Sequence, residues 1–153
     1  MNKCYCKSGL DFSECCEPIL RVQQLAPSAL SLMRSRYSAY CLGHVNYLQA
    51  TTNDHTWSDE ELKFIKDWAD NSFWQYLEII DFSEEMVEFK AYYIFEHVQH
   101  VHHEKSTFLK VNDMYKYIDG EIYEDKVSFT NNQKCICDSG LKYKRCCLPR
   151  LRK

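Results

Sequence analysis

Glycine and proline are scarce, four and three in 153 residues. The shortage leaves no flexible linker or low-complexity tract, so the chain is expected to fold along nearly its whole length. Long hydrophobic runs are also missing. No apolar stretch approaches the ~18 residues that read as a bilayer-spanning helix. Little precedes the first cysteine at position 4, which leaves no room there for a signal peptide, and the expected location is cytoplasmic. Thiols stay reduced in that compartment, and nine cysteines, an odd number, speak against a closed disulfide framework.

What is present is enough for a core: 45% of residues are hydrophobic and 14% aromatic. The length suits one ordinary domain with a small appendage at each end. The cysteines define those appendages. Residues 4–16 read CYCKSGLDFSECC and residues 135–147 read CICDSGLKYKRCC. Seven of the thirteen positions are identical, and each copy has the form C-x-C-x8-C-C. Four thiolates so close together suit a tetrahedral metal ion. Cys4 and Cys6 can sit on one side of an extended strand or tight turn, and Ser8-Gly9 then supplies a turn, with Gly able to take positive φ. Cys15 and Cys16 follow on a helical turn. Cys135, Cys137, Cys146 and Cys147 repeat the arrangement. Leu10 with Phe12, and Leu141 with Tyr143, are expected to form a small apolar core under each ion. Four protein ligands leave no position for water, so two structural Zn2+ ions are expected rather than metal catalysis.

Both segments resemble the SEC-C motif, known from the carboxyl-terminal zinc knuckle of the SecA translocation motor, whose usual form is C-x-C-x-S-G-x-x-[FY]-x-x-C-[CH]. The resemblance carries the ligand role onto the eight cysteines named above. Two departures stand out. Tyr5 and Ile136 occupy a position that is usually Pro, and Lys7 and Asp138 one that is usually Gly. The second change puts the local turn under strain if φ is positive there.

Between the knuckles the pattern is helical first and then extended. Residues 28–42 place Leu30, Met33, Tyr37, Tyr40 and Cys41 at three-to-four spacing, with Ser28 as cap and Gly43 as stop. Val45, Tyr47 and Leu48 suggest a short second helix. Ser58 to Glu61 is a capping box opening a helix through about Asp70, with Leu62, Ile65 and Trp68 inward. Strands are expected at Trp74–Phe82, Val87–Phe95, His103–Val111 and Met114–Ile118. Asn112-Asp113 and Asp119-Gly120 read as turns, the latter as a hairpin signal. Helices followed by antiparallel strands predict an α+β domain, a cone-like curved antiparallel sheet with amino-terminal helices, over residues 26–130. The knuckles take 1–20 and, with a basic tail, 134–153. This order is similar to the nuclear-transport-factor-2-like cone, also seen in scytalone dehydratase. The runs LMRSRYSAY, HEKSTF and YIDG, with a SEC-C motif at each end, resemble the bacterial YchJ-like proteins. That resemblance implies an architecture and no reaction.

The cone implies a pocket, for which the candidates are Arg34, Arg36, Tyr37, Tyr40, His55, Trp57, Glu104 and Tyr117. A histidine and a carboxylate there could serve as general base and orienting partner. The plainer reading makes the tyrosines core residues and pairs Arg34 or Arg36 with Glu104 as a buried ion pair. His97, His100, His102 and His103 are read as solvated strand-edge or hairpin residues rather than as a metal site, with His100 and His102 on one face and His103 on the other. Cys41 is read as a small core residue. Charge is divided along the chain. Residues 18–133 carry eighteen acidic and ten basic side chains, whereas residues 134–153 carry seven basic and one acidic. Lys142, Lys144, Arg145, Arg150, Arg152 and Lys153 therefore form a candidate partner surface, and the SecA resemblance favours a protein partner. Nucleic acid is disfavoured by the acidic core and the lack of a basic-aromatic groove. The leading reading is a zinc-dependent adaptor acting through its knuckles, a homodimer being one open arrangement. The alternative is a small-molecule-binding protein or a lyase- or isomerase-type enzyme that uses the core pocket.

Overall fold

The computed structural model describes residues 2–54 and 57–152. His55 and Lys153 lie outside the described residues. A four-stranded antiparallel sheet of order β1-β2-β3-β4 forms the centre, built from β1 (Ser72–Phe82), β2 (Met86–Phe95), β3 (Val98–Val111) and β4 (Met114–Tyr123). Four helices precede it: α1 (Glu17–Leu20), α2 (Ala29–Leu42), α3 (Val45–Ala50) and α4 (Asp59–Asn71). The fold is the expected α+β class, a curved meander with its helices on one face.

Helix α2 begins where Ser28 accepts a hydrogen bond from the Ser31 amide at 3.0 Å and stops at Gly43, whose φ of 71° ends it in the left-handed region. The expected one-sided burial is not what is seen. Ala29, Leu32, Met33, Ser35, Arg36, Tyr37, Ser38 and Ala39 are all buried, so α2 is covered all round. The sheet covers one side through Leu77, Val87, Phe89, Ala91 and Phe108, and the amino-terminal knuckle covers another through Cys4, Cys6 and Cys16. Helix α4 opens with the complete Ser58–Glu61 capping box. It lies more loosely, with Leu62, Ile65 and Trp68 half-buried and Phe64 69% exposed.

Two features of the sheet differ from expectation. Strand β3 starts at Val98, because Glu96 (φ 50°) and His97 (φ 63°) make a tight β2–β3 hairpin turn without Gly or Asn to announce it. Asn112 (φ 52°) and Asp113 (φ 64°) form the expected turn between β3 and β4. Asp119-Gly120, by contrast, lies inside β4, paired with Thr107 and Ser106. Gly120 is there for space. A Cβ on it would sit 2.5 Å from the Glu104 carboxyl carbon. A register shift beside it, where Phe108 pairs with Tyr117 rather than Ile118, brings Tyr117 and Gly120 to the same side.

A second shift, between Trp74 and Tyr76, brings Trp74 and Leu77 both to the helical side and turns Gln75 to the other face. After β4 the chain returns across that outer face. Asp125 bonds Lys90 at 2.9 Å and His103 at 3.2 Å, and Phe129 packs on Tyr92 and Tyr143. The carboxyl-terminal knuckle is thereby delivered to Ile94, on the opposite face of the sheet from its amino-terminal copy.

Gly120→Ala is expected to push Glu104 off Ser106 and to cost about 1–3 kcal/mol, the usual effect of overpacking a filled interior. Urea unfolding checks this; an unchanged midpoint would show that the carboxylate has room to move.

Candidate metal centres and cavity

The two knuckles have the same local fold. In the first, Lys3 bridges Asp11, the Cys4 amide donates to Leu10 O at 2.8 Å, and the Cys15 amide donates to Phe12 O at 3.1 Å. In the second, Lys134 bridges Lys142, and Cys135 and Cys146 make the corresponding bonds at 2.8 and 3.1 Å. Cys15 (φ −121°, ψ −95°) and Cys146 (φ −126°, ψ −90°) share one unusual backbone conformation. The repeat continues beyond the cysteines. Pro18 and Pro149 each open the short helical turn that follows. Lys7 and Asp138, at the position where the motif usually has Gly, both have φ of 64°. The turn is therefore kept, and two side chains are held in the left-handed region to keep it.

Within each cluster the four sulfurs lie within 4.8 Å of one another. Cys6 and Cys15 Sγ are 3.6 Å apart, Cys15 and Cys16 3.9 Å, and Cys137 and Cys146 3.3 Å. A tetrahedral ion with metal–sulfur bonds of about 2.3 Å needs sulfurs about 3.8 Å apart. Both clusters can hold a metal ion on that geometry. Hydroxyls support them equivalently: Ser8 Oγ lies 3.3 Å from Cys15 Sγ, and Ser139 Oγ donates to Cys146 Sγ at 3.1 Å. The thiol acidities divide alike in the two copies. Hydrogen bonds from Cys16 and Cys4 hold Cys6 far below the usual thiol range. Its counterpart Cys137 is pushed up by burial, but hydrogen bonds from Ser139 and Cys146 outweigh this and lower it to about 7. Burial pushes Cys15 up to about 11. A cation entering either cluster meets one ready thiolate and must displace protons from others, so its affinity falls in acid.

The knuckles differ in how they are attached. Cys4, Cys6 and Cys16 belong to the main core, Cys4 Sγ is 3.8 Å from Ser38 Oγ, and Arg34 donates to Cys6 O at 2.9 Å. The carboxyl-terminal knuckle has a smaller cluster of its own with Ile94 and Phe129. Arg150 lies 3.8 Å over the Phe73 ring, and its carbonyl meets His97 Nδ1 at 3.0 Å. Gln75, fully buried, has an amide nitrogen with no hydrogen-bond partner among the described residues, and it lies against Cys147, whose thiol burial pushes up against a smaller lowering by the Gln75 side chain. A metal-bound thiolate at Cys147 would give that amide its acceptor. Leu10 and Leu141, expected beneath the ions, are instead 55% and 51% exposed. Phe12 and Tyr143 do pack against the cysteines as expected, joined by the main core in the first knuckle and by Ile94, Phe129, Leu148 and Leu151 in the second, and the two leucines are left in solvent.

Between α2, α4 and the sheet lies a cavity of about 290 Å³. Tyr37, Tyr40, Trp57, Glu104 and Tyr117 line it, as does Arg36. Arg34 does not. Its guanidinium is spent on the knuckle carbonyl at Cys6, one helical step round from the cavity face. The runs LMRSRYSAY, HEKSTF and YIDG meet at this cavity, through Arg36, Tyr37 and Tyr40, through Glu104 and Ser106, and through Tyr117. The walls are aromatic: Trp74 lies 5.5 Å from Tyr40 and 5.6 Å from Trp68 between ring centroids.

The floor is polar and internally paired. Glu104 Oε1 meets His102 Nε2 at 3.1 Å, Oε2 accepts from Ser106 Oγ, and Tyr117 also bonds the carboxylate. Burial pushes Glu104 up, but the bonds from His102 and Ser106 outweigh it and leave the pKa below the ordinary carboxylate value. Arg36 does not pair with Glu104 directly. It donates to Leu48 O at 2.9 Å, Thr51 Oγ1 at 2.6 Å and Thr52 Oγ1 at 3.2 Å, and lies 4.9 Å over the Tyr117 ring. Burial lowers its pKa. His102 and Ser106 were missed as lining residues. The signal available was the alternation His102-Glu104-Ser106, which puts all three on the face of Phe108.

The comparisons with known proteins agree with this architecture. A family model described as the YchJ middle NTF2-like domain matches residues 28–120, and the SEC-C motif model matches residues 132–149. A UPF0225 protein of Geobacter sulfurreducens is 36% identical, with 95% of this chain and 98% of the relative covered. One from Pectobacterium carotovorum is 38% identical, with 95% and 97% covered. Among solved structures, a SEC-C motif containing protein from Psychrobacter arcticus is 34% identical, with a TM-score of 0.62 over 92% of this chain and 87% of that one. Another from Rhodopseudomonas palustris is 30% identical, with a TM-score of 0.67 over 81% of this chain and all of that one. The chain belongs to the UPF0225 family of YchJ-like proteins, an NTF2-like domain carrying a SEC-C motif.

Proposed function

We propose that this protein is a metal-fastened small-molecule-binding protein: two structural zinc ions hold its ends to the domain, and the cavity under α4 is the binding site. The observation that carries the reading is the cavity itself, an aromatic chamber with a few convergent polar groups, which is the usual make-up of a ligand site. Sets of four cysteine sulfurs favour zinc among the common divalent ions, and complete coordination favours a structural role. The amino-terminal knuckle is part of the core, which speaks for a fastener rather than a free docking module. A lyase or isomerase activity would use the same cavity.

A second reading, an adaptor, rests on the carboxyl-terminal knuckle alone. Lys142, Lys144, Arg145 and Arg152 are exposed on it, beside the exposed Leu141. Arg150 is engaged with Phe73 and contributes less to that surface. An acidic protein face, including one on a second copy of this chain, is the partner such a surface fits, and the acidic core disfavours nucleic acid.

Elemental analysis of the reduced protein is expected to give about two zinc ions per chain. Cys146→Ser/Cys147→Ser is expected to leave one zinc and a folded domain, whereas Cys15→Ser/Cys16→Ser lowers the melting temperature of the whole protein, since its sulfurs belong to the main core. No zinc in the wild type, or equal effects of the two variants, would refute the fastener reading. Fragment screening by NMR is expected to find ligands that shift Tyr40, Trp68, Trp74 and His102 together; a diverse library with no hit at these residues would count decisively against the cavity. For the adaptor, Lys142→Glu/Lys144→Glu/Arg145→Glu is expected to lose the partners that the wild-type chain retains in a pull-down while keeping its zinc, and an identical partner set would remove that reading.

A further inference from the structure

The cavity's charges are already spoken for, and this constrains what it can hold. Glu104 is 7% exposed and satisfied by His102, Ser106 and Tyr117. Arg36, also 7% exposed, is turned to Leu48, Thr51 and Thr52. One negative and one positive group thus face inward together, each held by protein partners. A charged ligand would lose its hydration without gaining a free counter-ion, a cost that buried sites rarely offset.

Further polar side chains line the cavity, among them Tyr37, whose buried hydroxyl has no hydrogen-bond partner among the described residues, and His102. A carboxylate only accepts, so the proton shared with Glu104 sits on Nε2. Neutral imidazole then carries a lone pair on Nδ1, and the ring stands in the cavity lining between Trp68 and Phe89, with centroids 5.9 and 6.0 Å away. Glu104 therefore fixes the tautomer and orientation that make His102 an acceptor. The walls offer flat apolar faces, and rings packed edge-to-face or offset gain more than aliphatic groups of the same area. The volume, about 290 Å³, equals roughly ten waters of about 30 Å³ each.

Resting on the reading of the cavity as a ligand site, we infer that it takes a small neutral aromatic compound bearing one O–H or N–H donor, of phenol or indole type. The ring lies against Trp68 and Trp74, and the donor bonds His102 Nδ1.

The test uses the full-length zinc-loaded protein, with phenol, indole, anisole, cyclohexanol, benzoate and benzylamine titrated separately by NMR. Phenol and indole are expected to shift the cavity residues and to bind about tenfold more tightly than anisole, which lacks the donor. Cyclohexanol, benzoate and benzylamine are expected to bind as weakly as anisole or less. His102→Phe keeps a ring and removes the acceptor, so phenol should fall to the anisole level, while His103→Ala on the opposite face should leave the phenol-to-anisole ratio unchanged. Ala91→Leu, which fills the chamber, should abolish binding of every probe. Benzoate or benzylamine binding in the cavity at least as tightly as phenol, or an unchanged phenol-to-anisole ratio in His102→Phe, would overturn the inference and leave the ligand-site reading standing. No shift at the cavity residues with any probe would overturn both. The comparison of probes on the wild type decides the matter even if His102→Phe fails to fold.

Discussion

Helix α2 has no face of its own to give to solvent, and the structure is arranged around that constraint. An ordinary surface helix presents one apolar stripe to a core and a polar side to water. Residues 29–39 instead bury serines and an arginine along with leucine, methionine and tyrosine. A buried polar group is tolerable only when it finds a partner. Ser35 meets Tyr47 at 2.6 Å, Ser38 faces Cys4 Sγ, and Arg36 is taken by the end of α3 and Thr52. The amino-terminal knuckle is therefore a wall of the domain rather than an appendage. Whatever orders its four sulfurs also orders one side of the helix whose other side lines the cavity. Cysteine cluster and cavity are linked through a single element.

That linkage explains what the sequence made legible. The cysteine clusters were readable because spacing alone brings four thiols together, and the structure places each set within one small volume. The α+β order was readable from the change of period, and helix ends from Ser28, Gly43 and the Ser58 capping box. The face of α2 was not readable. Periodicity assumes one solvent side, and nothing local announces that a segment 25 residues upstream will cover the other. Arg34 and Arg36 illustrate the consequence. Two residues apart on a helix, they point about 200° apart, one to the knuckle and one to the cavity, and only knowledge of both covers separates their roles.

The misreadings in the sheet share a different cause. Asp119-Gly120 has the composition of a hairpin turn, but its glycine answers to a tertiary demand, the room needed by Glu104. Glu96-His97 lacks that composition and turns nonetheless, because the strands on either side pair from Phe95 and Val98 outward and hold both residues at positive φ. In each case long-range packing overrides local preference. Lys7 and Asp138 show the same force within the knuckles, where two non-glycine residues keep the motif's turn.

The two faces of the sheet have accordingly been put to different uses. Strand β3 alternates His102, Glu104 and Ser106 toward the cavity with His103 and Lys105 toward the outside, so neighbouring histidines enter unlike environments. His103 lies between Glu88 at 3.1 Å and Asp125 at 3.2 Å and fastens the returning chain to the outer face. His102 has one carboxylate, Glu104, and an aromatic enclosure. His103 bonds a carboxylate through each ring nitrogen and serves as a clasp, whereas His102 bonds a single carboxylate inside aromatic walls. The densest histidine run in the chain is thus two devices in alternation. One holds the carboxyl-terminal knuckle's approach in place, and the other adds a polar group to the cavity lining.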